Sequence, residues 1–363
     1  MSGDETSLAQ RPVPLLTGDL PGTGGLTRLS ETDFRVEELP LYEASGTGEH
    51  LYLTVEKTGR TTPEIARELA EALGVRERDV GTAGLKDKRA VTVQRLSVPA
   101  LAPDAEARAR GLTGRGFRVL SVARHENKLR PGHLRGNRFR IVVRGVLPDA
   151  LLRAQAVCAR LSSSGVANLF GPQRFGRRGD NAALGRALLL REEWAIKAGR
   201  DRFLRRMALS ALQSELFNRC LAARISDGLF ADALDGDVLK KRVTGGLFVC
   251  EDAAVDTGRV RAGEVDPAGP LPGHSLFAAK GTALLREQAV LDDAALDVRS
   301  FVAGGAEMEG ARRPYRIPVE GLTATAAEEA DALVLEFSLG KGSYALSVLR
   351  EVLKSDAPPE EGE

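Results

Sequence analysis

Apolar and polar positions alternate with a period of two over residues 33–40 (DFRVEELP) and 51–58 (LYLTVEKT). That predicts two short strands around a turn bearing Gly46 and Gly48. The period then lengthens. Ile65, Leu69 and Leu73 are spaced by four, with Thr62 placed as an N-cap, Pro63 at the first helical position and Gly74 as a stop, so a helix with that stripe in the core is expected. Alternation returns in residues 79–98, DVGTAGLKDKRAVTVQRLSV, as a short apolar strand, a glycine-bearing loop and a strand carrying Val91, Val93 and Arg95. FRVLSVAR (117–124) and NRFRIVVRGV (137–146) are further strand candidates, flanking the basic connection HENKLRPGHLRG. Hairpins interspersed with single helices imply an α+β fold on a largely antiparallel sheet.

Beyond Asp149 the texture changes. Helical periodicity runs through residues 150–161, a Gly- and Arg-rich stretch follows (FGPQRFGRRGDN, 170–181), and a long helix is predicted over 203–225. Strand texture returns only at ALVLEFSL (332–339), and residues 343–354 place Leu346, Leu349 and Leu353 on one helical face. The pattern is that of one sheet domain, residues 31–167 and 314–354, interrupted by an inserted α/β domain at 168–313. The Gly- and Pro-rich start (1–30) and the acidic tail (355–363) are expected to fray.

The formal net charge of +1 conceals a division along the chain. Residues 124–206 hold 19 Lys and Arg against 6 Asp and Glu, a local +13, and the remainder carries −12. A block this one-sided suits a polyanion, although for any single member of it a solvated surface is the better reading. Cys158, Cys220 and Cys250 show neither a CxxC nor a Cys/His pairing, so they read as buried free thiols. The four histidines lack metal-ligand spacing. No metal or organic cofactor is expected. No stretch approaches the ~20 apolar residues of a membrane span, no secretory signal is expected, and the location expected is cytoplasmic.

One loop could carry chemistry. In GTAGLKDKRAV, Asp87 lies between Lys86 and Lys88 with Arg89 next, on a glycine-bearing turn between two strands. Nearby cations favour a carboxylate's charged form, and a tight loop can hold it at the mouth of a cleft. A solvated charge run fits the same residues. A phosphate-cradling loop does not, because GLKDK lacks the paired glycine and the Ser or Thr after lysine.

Gly84-Leu85-Lys86-Asp87-Lys88 resembles the Gly-x-Lys-Asp-Lys signature of the TruD family of transfer-RNA pseudouridine synthases. DFRVEELP with GTGEH, LRPGHLRGNRFR, VANLFGPQRFGRRGDN, MALSALQSELFN and FSLGKGSYALSVLRE continue the resemblance in order, over about residues 30 to 355. The resemblance implies a pseudouridine-synthase-like sheet domain with an insertion, no cofactor, and isomerisation of uridine 13 of a tRNA. It implies Asp87 as nucleophile, and a uridine pocket of Phe34, Asn137, Phe139 and Phe337. Such a pocket makes chemical sense, since a uracil must leave its stack to be reached and be received by an aromatic face and a polar reader. Lys86, Lys88, Arg89, Arg174 and Arg177 are expected to contact RNA. Leu339-Gly340-Lys341-Gly342-Ser343-Tyr344-Ala345-Leu346 departs from the family's Leu-Pro-x-Gly-Ser-Tyr-Ala-Thr, and glycine for proline should loosen the presentation of Phe337. Beyond tRNA no protein partner or membrane is implied, and a monomer is expected. Two rivals stay open: a tRNA-binding or chaperone protein without catalysis, and a hydrolase pairing Asp87 with a general acid.

Overall fold

The computed structural model describes residues 12–354, in two compact units, one of Asp19–Gly165 with 318–354 and one of 12–18 with Val166–Ile317. These limits lie a few residues from the expected 168 and 313. The chain leaves the first unit after Gly165 and returns at Pro318.

The first unit is built on a nine-stranded sheet. Its strands are β1 (Phe34–Pro40), β2 (His50–Thr58), β3 (Gly81–Thr82), β4 (Val91–Pro99), β5 (Thr113–Gly114), β6 (Phe117–His125), β7 (Leu134–Arg144), β8 (Val319–Ala326) and β9 (Ala332–Gly340). They lie in the order β8-β9-β7-β1-β4-β2-β6-β5, with β3 on β4, and every pair is antiparallel except β1 with β4. An α+β, largely antiparallel domain is therefore what the alternation produces. Helix α1 (Thr62–Leu73) lays Ile65, Leu69 and Leu73 on Leu51, Leu53, Val55, Leu96 and Val98, the inward positions of β2 and β4. Helix α2 (Ala105–Ala109) joins that core, and α3 (Ala150–Ser164) packs with β8 and with α4 (Leu346–Leu353).

Three features depart from the expected pattern. The helix cap is Thr61, not Thr62: the Glu64 N–H reaches the Thr61 hydroxyl, and the Glu64 carboxylate accepts from the Thr61 N–H at 2.6 Å, a reciprocal box that satisfies two orphan donors. Thr62 is thereby free for another task. Residues 12–30 were expected to fray, yet Leu26 exchanges both backbone hydrogen bonds with Arg144 at 2.9 Å, and Thr23 N–H donates to the Val352 carbonyl at 2.9 Å. The rest of that segment (1–11) and the tail 355–363 lie outside the described residues. Strand β8 was not foreseen, since VEGLTATA has few large apolar residues and gains its pairing from β9.

The second unit centres on the helix Arg202–Ser226, flanked by the helices Asn181–Leu190 and Gly281–Asp293. A four-stranded sheet runs Leu247–Val249, Val238–Lys241, Val265–Leu271, Ala311–Pro314. Its interior combines Phe217, Leu212 and Leu216 with buried ion pairs, among them Arg224–Asp237 at 2.6 Å and Arg316–Asp266 at 2.8 Å. Both partners of each pair are enclosed, which such desolvated charges require. Cys158, Cys220 and Cys250 are buried and free. Among the described residues no helix is long and apolar enough to cross a membrane.

Candidate active site

The loop between β3 and β4 is held from beneath. Inward positions of β2 alternate Leu51, Leu53, Val55, and the next is Lys57, 1% exposed. A buried ammonium needs hydrogen-bond acceptors. Lys57 Nζ finds the carbonyls of Arg60 at 2.7 Å, Asp87 at 2.8 Å and Lys86 at 3.5 Å. Burial pushes its pKa down to about 8, against the pull of the Asp87 carboxylate. Thr62, released from capping, accepts from the Lys86 N–H at 3.1 Å and donates to Gln94 Oε1 at 3.0 Å. With its backbone turned inward at these points, the loop sends the Asp87 side chain outward, 52% exposed.

What Asp87 meets there is Arg28, at 2.8 Å between Nη2 and Oδ2. The Arg28 guanidinium also lies 3.8 Å over the Phe34 ring. Its backbone is left-handed (φ 62°), a conformation uncommon for arginine. Beneath it three rings are joined: Phe34 edge-on to Phe139 at 6.2 Å, and Phe139 stacked on Phe337 at 5.2 Å and 26°. They meet because register aligns Phe139 with Val36 on one side and with Phe337 on the other. All three are buried. The glycine at 340 does not loosen Phe337, since the β9–β7 ladder continues past it to Gly340 opposite Gly136, and a Cβ at Gly136 would collide with the Leu339 carbonyl.

Asn137, register partner of Glu38, completes the group. Lys86 Nζ donates to Asn137 Oδ1 at 2.6 Å and pairs with Glu38 at 3.1 Å, with the Lys86 and Glu38 side chains both buried. An ammonium has no acceptor, so it fixes the amide oxygen inward and leaves Nδ2 as the outward donor. Lys86 was expected as an RNA contact. The structure instead makes it an internal fastener, because the Glu38 carboxylate behind the loop holds it more closely than solvent would.

The other expected RNA contacts divide. Lys88 and Arg89 are exposed beside Asp87. Arg174 is tied to the helix Arg202–Ser226 through Ser214 at 3.0 Å and Ser210, while the neighbouring Phe175 is core against Ala182 and Ala211. Arg177 is exposed. Acids from distant segments neutralise part of the +13 block: Arg124 is paired with Glu106, Arg144 with Asp33, Arg160 with Asp19, Arg205 with Glu307.

Two residues at the site escaped the sequence reading. Arg28 stood in a segment taken to fray, and nothing local marks it. Lys57 did carry a signal, a charged residue at an inward position of an otherwise apolar alternation.

The fold has a solved counterpart. A Methanosarcina mazei crystal structure assigned to tRNA pseudouridine synthase D (TruD) superposes with a TM-score of 0.80, covering 94% of this chain and 96% of that one at 24% identity. The chain thus shares the fold of that structure. The family described as tRNA pseudouridine synthase D (TruD) matches residues 13–198 and 193–352. Proteins named tRNA pseudouridine synthase D from Anaeromyxobacter sp. (strain Fw109-5) and from Thermus thermophilus are 56% and 44% identical, each over 95% of this chain and over 97% and 93% of their own lengths. The chain belongs to the TruD family.

Proposed function

We propose that this protein isomerises a uridine of tRNA, by family resemblance uridine 13, to pseudouridine, with Asp87 as its nucleophile or base. The observation that carries the reading is an exposed carboxylate on a loop anchored at three buried points, paired with a cation and set beside joined aromatic rings and an oriented amide donor. The reaction breaks the N1–C1′ bond, turns the base and joins C5 to C1′. C5 loses a proton and N1 gains one, so no oxidant or activated donor is needed. Asp87 would act at the ribose, adding at C1′ or taking the C2′ proton. Arg28 balances its charge, and Asn137 Nδ2 offers a donor to a uracil carbonyl. The flipped base would be received against the Phe34–Phe139–Phe337 group once Arg28 gives way. We place the enzyme in the cytoplasm as a monomer.

The test is Asp87→Asn. The swap preserves size and removes the charge, so pseudouridine formation on unmodified tRNA, mapped by carbodiimide-blocked reverse transcription, should vanish while filter-binding affinity stays near the parent's. A variant that kept a substantial part of the parent's single-turnover rate, with deamidation excluded by mass spectrometry, would remove Asp87 from the chemistry.

A further inference from the structure

Several cations of the second unit are neutralised within it: Arg186 by Glu192, Arg242 and Arg316 by Asp266, Arg312 by Glu287. The segment 191–207 gathers cations that are not, its Arg205–Glu307 pair aside. Lys197, Arg200, Arg202 and Arg206 are exposed and form no ion pair among the described residues. Two of the segment's acids are already committed, Asp201 capping the helix Arg202–Ser226 and Glu192 accepting from Arg186 and from the Trp194 indole N–H at 2.8 Å.

The same segment exposes its largest apolar side chains. Trp194 is 61% and Phe203 74% exposed, whereas the residues that hold the segment down are small: Ala195 is buried, and a Cβ at Gly199 would press on Leu188 at 2.8 Å. Folding alone would favour the reverse arrangement. Large rings left in water cost stability, and a contiguous set of them marks an interaction surface. Rings interleaved with uncompensated cations match one chemistry, that of unpaired nucleotides, whose bases stack on aromatic faces while their phosphates meet Lys and Arg. A duplex encloses its bases and offers the rings nothing.

We propose that residues 191–207 are a docking platform for unpaired nucleotides of the tRNA, with Trp194 and Phe203 taking bases and Lys197, Arg200, Arg202 and Arg206 taking phosphates. This rests on the function proposed above for the identity of the RNA, not for the platform itself. The sequence reading assigned docking to Arg174 and Arg177. The platform proposed here lies downstream of both, where exposed cations and exposed rings share one segment.

Trp194 is the only tryptophan of the chain, so its emission reports on the platform directly. The full-length protein is titrated with unmodified tRNA, with an unstructured RNA of about 12 nucleotides and with a blunt RNA duplex of matched charge. Stacking should quench Trp194 strongly with the first two and little with the duplex. Phe203→Ala and the pair Arg200→Glu with Arg202→Glu should each weaken tRNA binding about 10-fold, with the single-turnover rate at saturating tRNA within about 2-fold of the parent. Emission that does not move where filter binding is complete would overturn the proposal, as would equal quenching by the duplex. So would an RNA-free dimer that Phe203→Ala dissociates, which would give the surface to a second copy. Quenching by a parent that makes no pseudouridine would refute the function and leave the platform standing.

Discussion

Lys57→Met should separate stability from activity in a way that pH exposes. The lysine is enclosed, and burial brings its pKa from an ordinary 10.5 to about 8. The folded state therefore resists the charged form. Between pH 8 and 10.5 the unfolded chain binds more protons at this position than the folded one, so stability rises with pH through that window. At about 1.4 kcal/mol per tenfold in proton affinity, the rise amounts to about 3 kcal/mol at most, less where water reaches the loop. The Asp87 carboxylate and the Lys86 and Glu64 charges facing it are part of that balance. Methionine fills the same volume without the charge, but leaves the carbonyls of Arg60 and Asp87 without a donor, at roughly 1–3 kcal/mol for each buried group. Near pH 7 the two effects nearly offset, and the variant should unfold close to the parent. By pH 10 the parent's lysine is neutral and still donates, so the variant should be the weaker by about 3 kcal/mol. Urea midpoints of both proteins at the two pH values measure this. Pseudouridine formation should fall about 100-fold at either pH with tRNA affinity kept, because a displaced loop misaims Asp87. A midpoint difference that does not change with pH, or a rate within a few-fold of the parent's, would refute the reasoning.

Arg28→Leu keeps an apolar contact on Phe34 but removes the partner 2.8 Å from Asp87, and should lower the single-turnover rate by about 10²-fold, with Arg28→Lys recovering part of it. Phe139→Ala should cost about 3–5 kcal/mol of stability, because the ring is buried between Phe34 and Phe337 rather than open to solvent; a loss confined to catalysis, with an unchanged melting curve, would show that it faces the base instead. tRNA affinity should fall with salt, with a slope of roughly −0.7 to −0.9 per phosphate neutralised, and Arg200→Glu with Arg202→Glu should flatten that slope while Arg124→Glu, which removes a cation already paired with Glu106, should barely alter it.

Where local pattern decides structure, the sequence was a reliable guide. The alternation of β1, β2, β4, β6, β7 and β9 and the four-residue stripe of α1 are local, and each strand or helix lies within a few residues of its expected place. The Asp87 loop was visible for the same reason, since its glycine, lysines and aspartate are close together in the chain. Arg28 was not visible, because its position follows from Leu26 pairing with Arg144, more than a hundred residues away along the chain. Strand β8 escaped because pairing with β9, rather than its own residues, makes it a strand. The one-residue error at the cap of α1 hid a functional contact: Thr61 and Thr62 are both competent caps, and only the return bond from Glu64 selects Thr61 and frees Thr62 for the loop.

Cation counts mislead for a related reason. Lys57, Lys86 and Lys88 are equivalent in a charge sum, and the structure gives them three different fates. Lys57 lies at an inward strand position, so its charge is satisfied only by drawing loop carbonyls to it. Lys86 follows a backbone whose N–H is bound by Thr62, which turns its side chain to Glu38 and Asn137. Lys88 alone stays in solvent. A motif in which lysines flank an aspartate therefore does not describe a basic patch around the carboxylate. Here one cation is spent on orienting the Asn137 amide and one is left in solvent, with a third, from another strand, holding the backbone of Asp87. The same logic divides the +13 block: cations that meet acids from distant segments, Arg205 among them, become structure, and Lys197, Arg200, Arg202 and Arg206, which form no ion pair among the described residues, are the ones we propose for RNA.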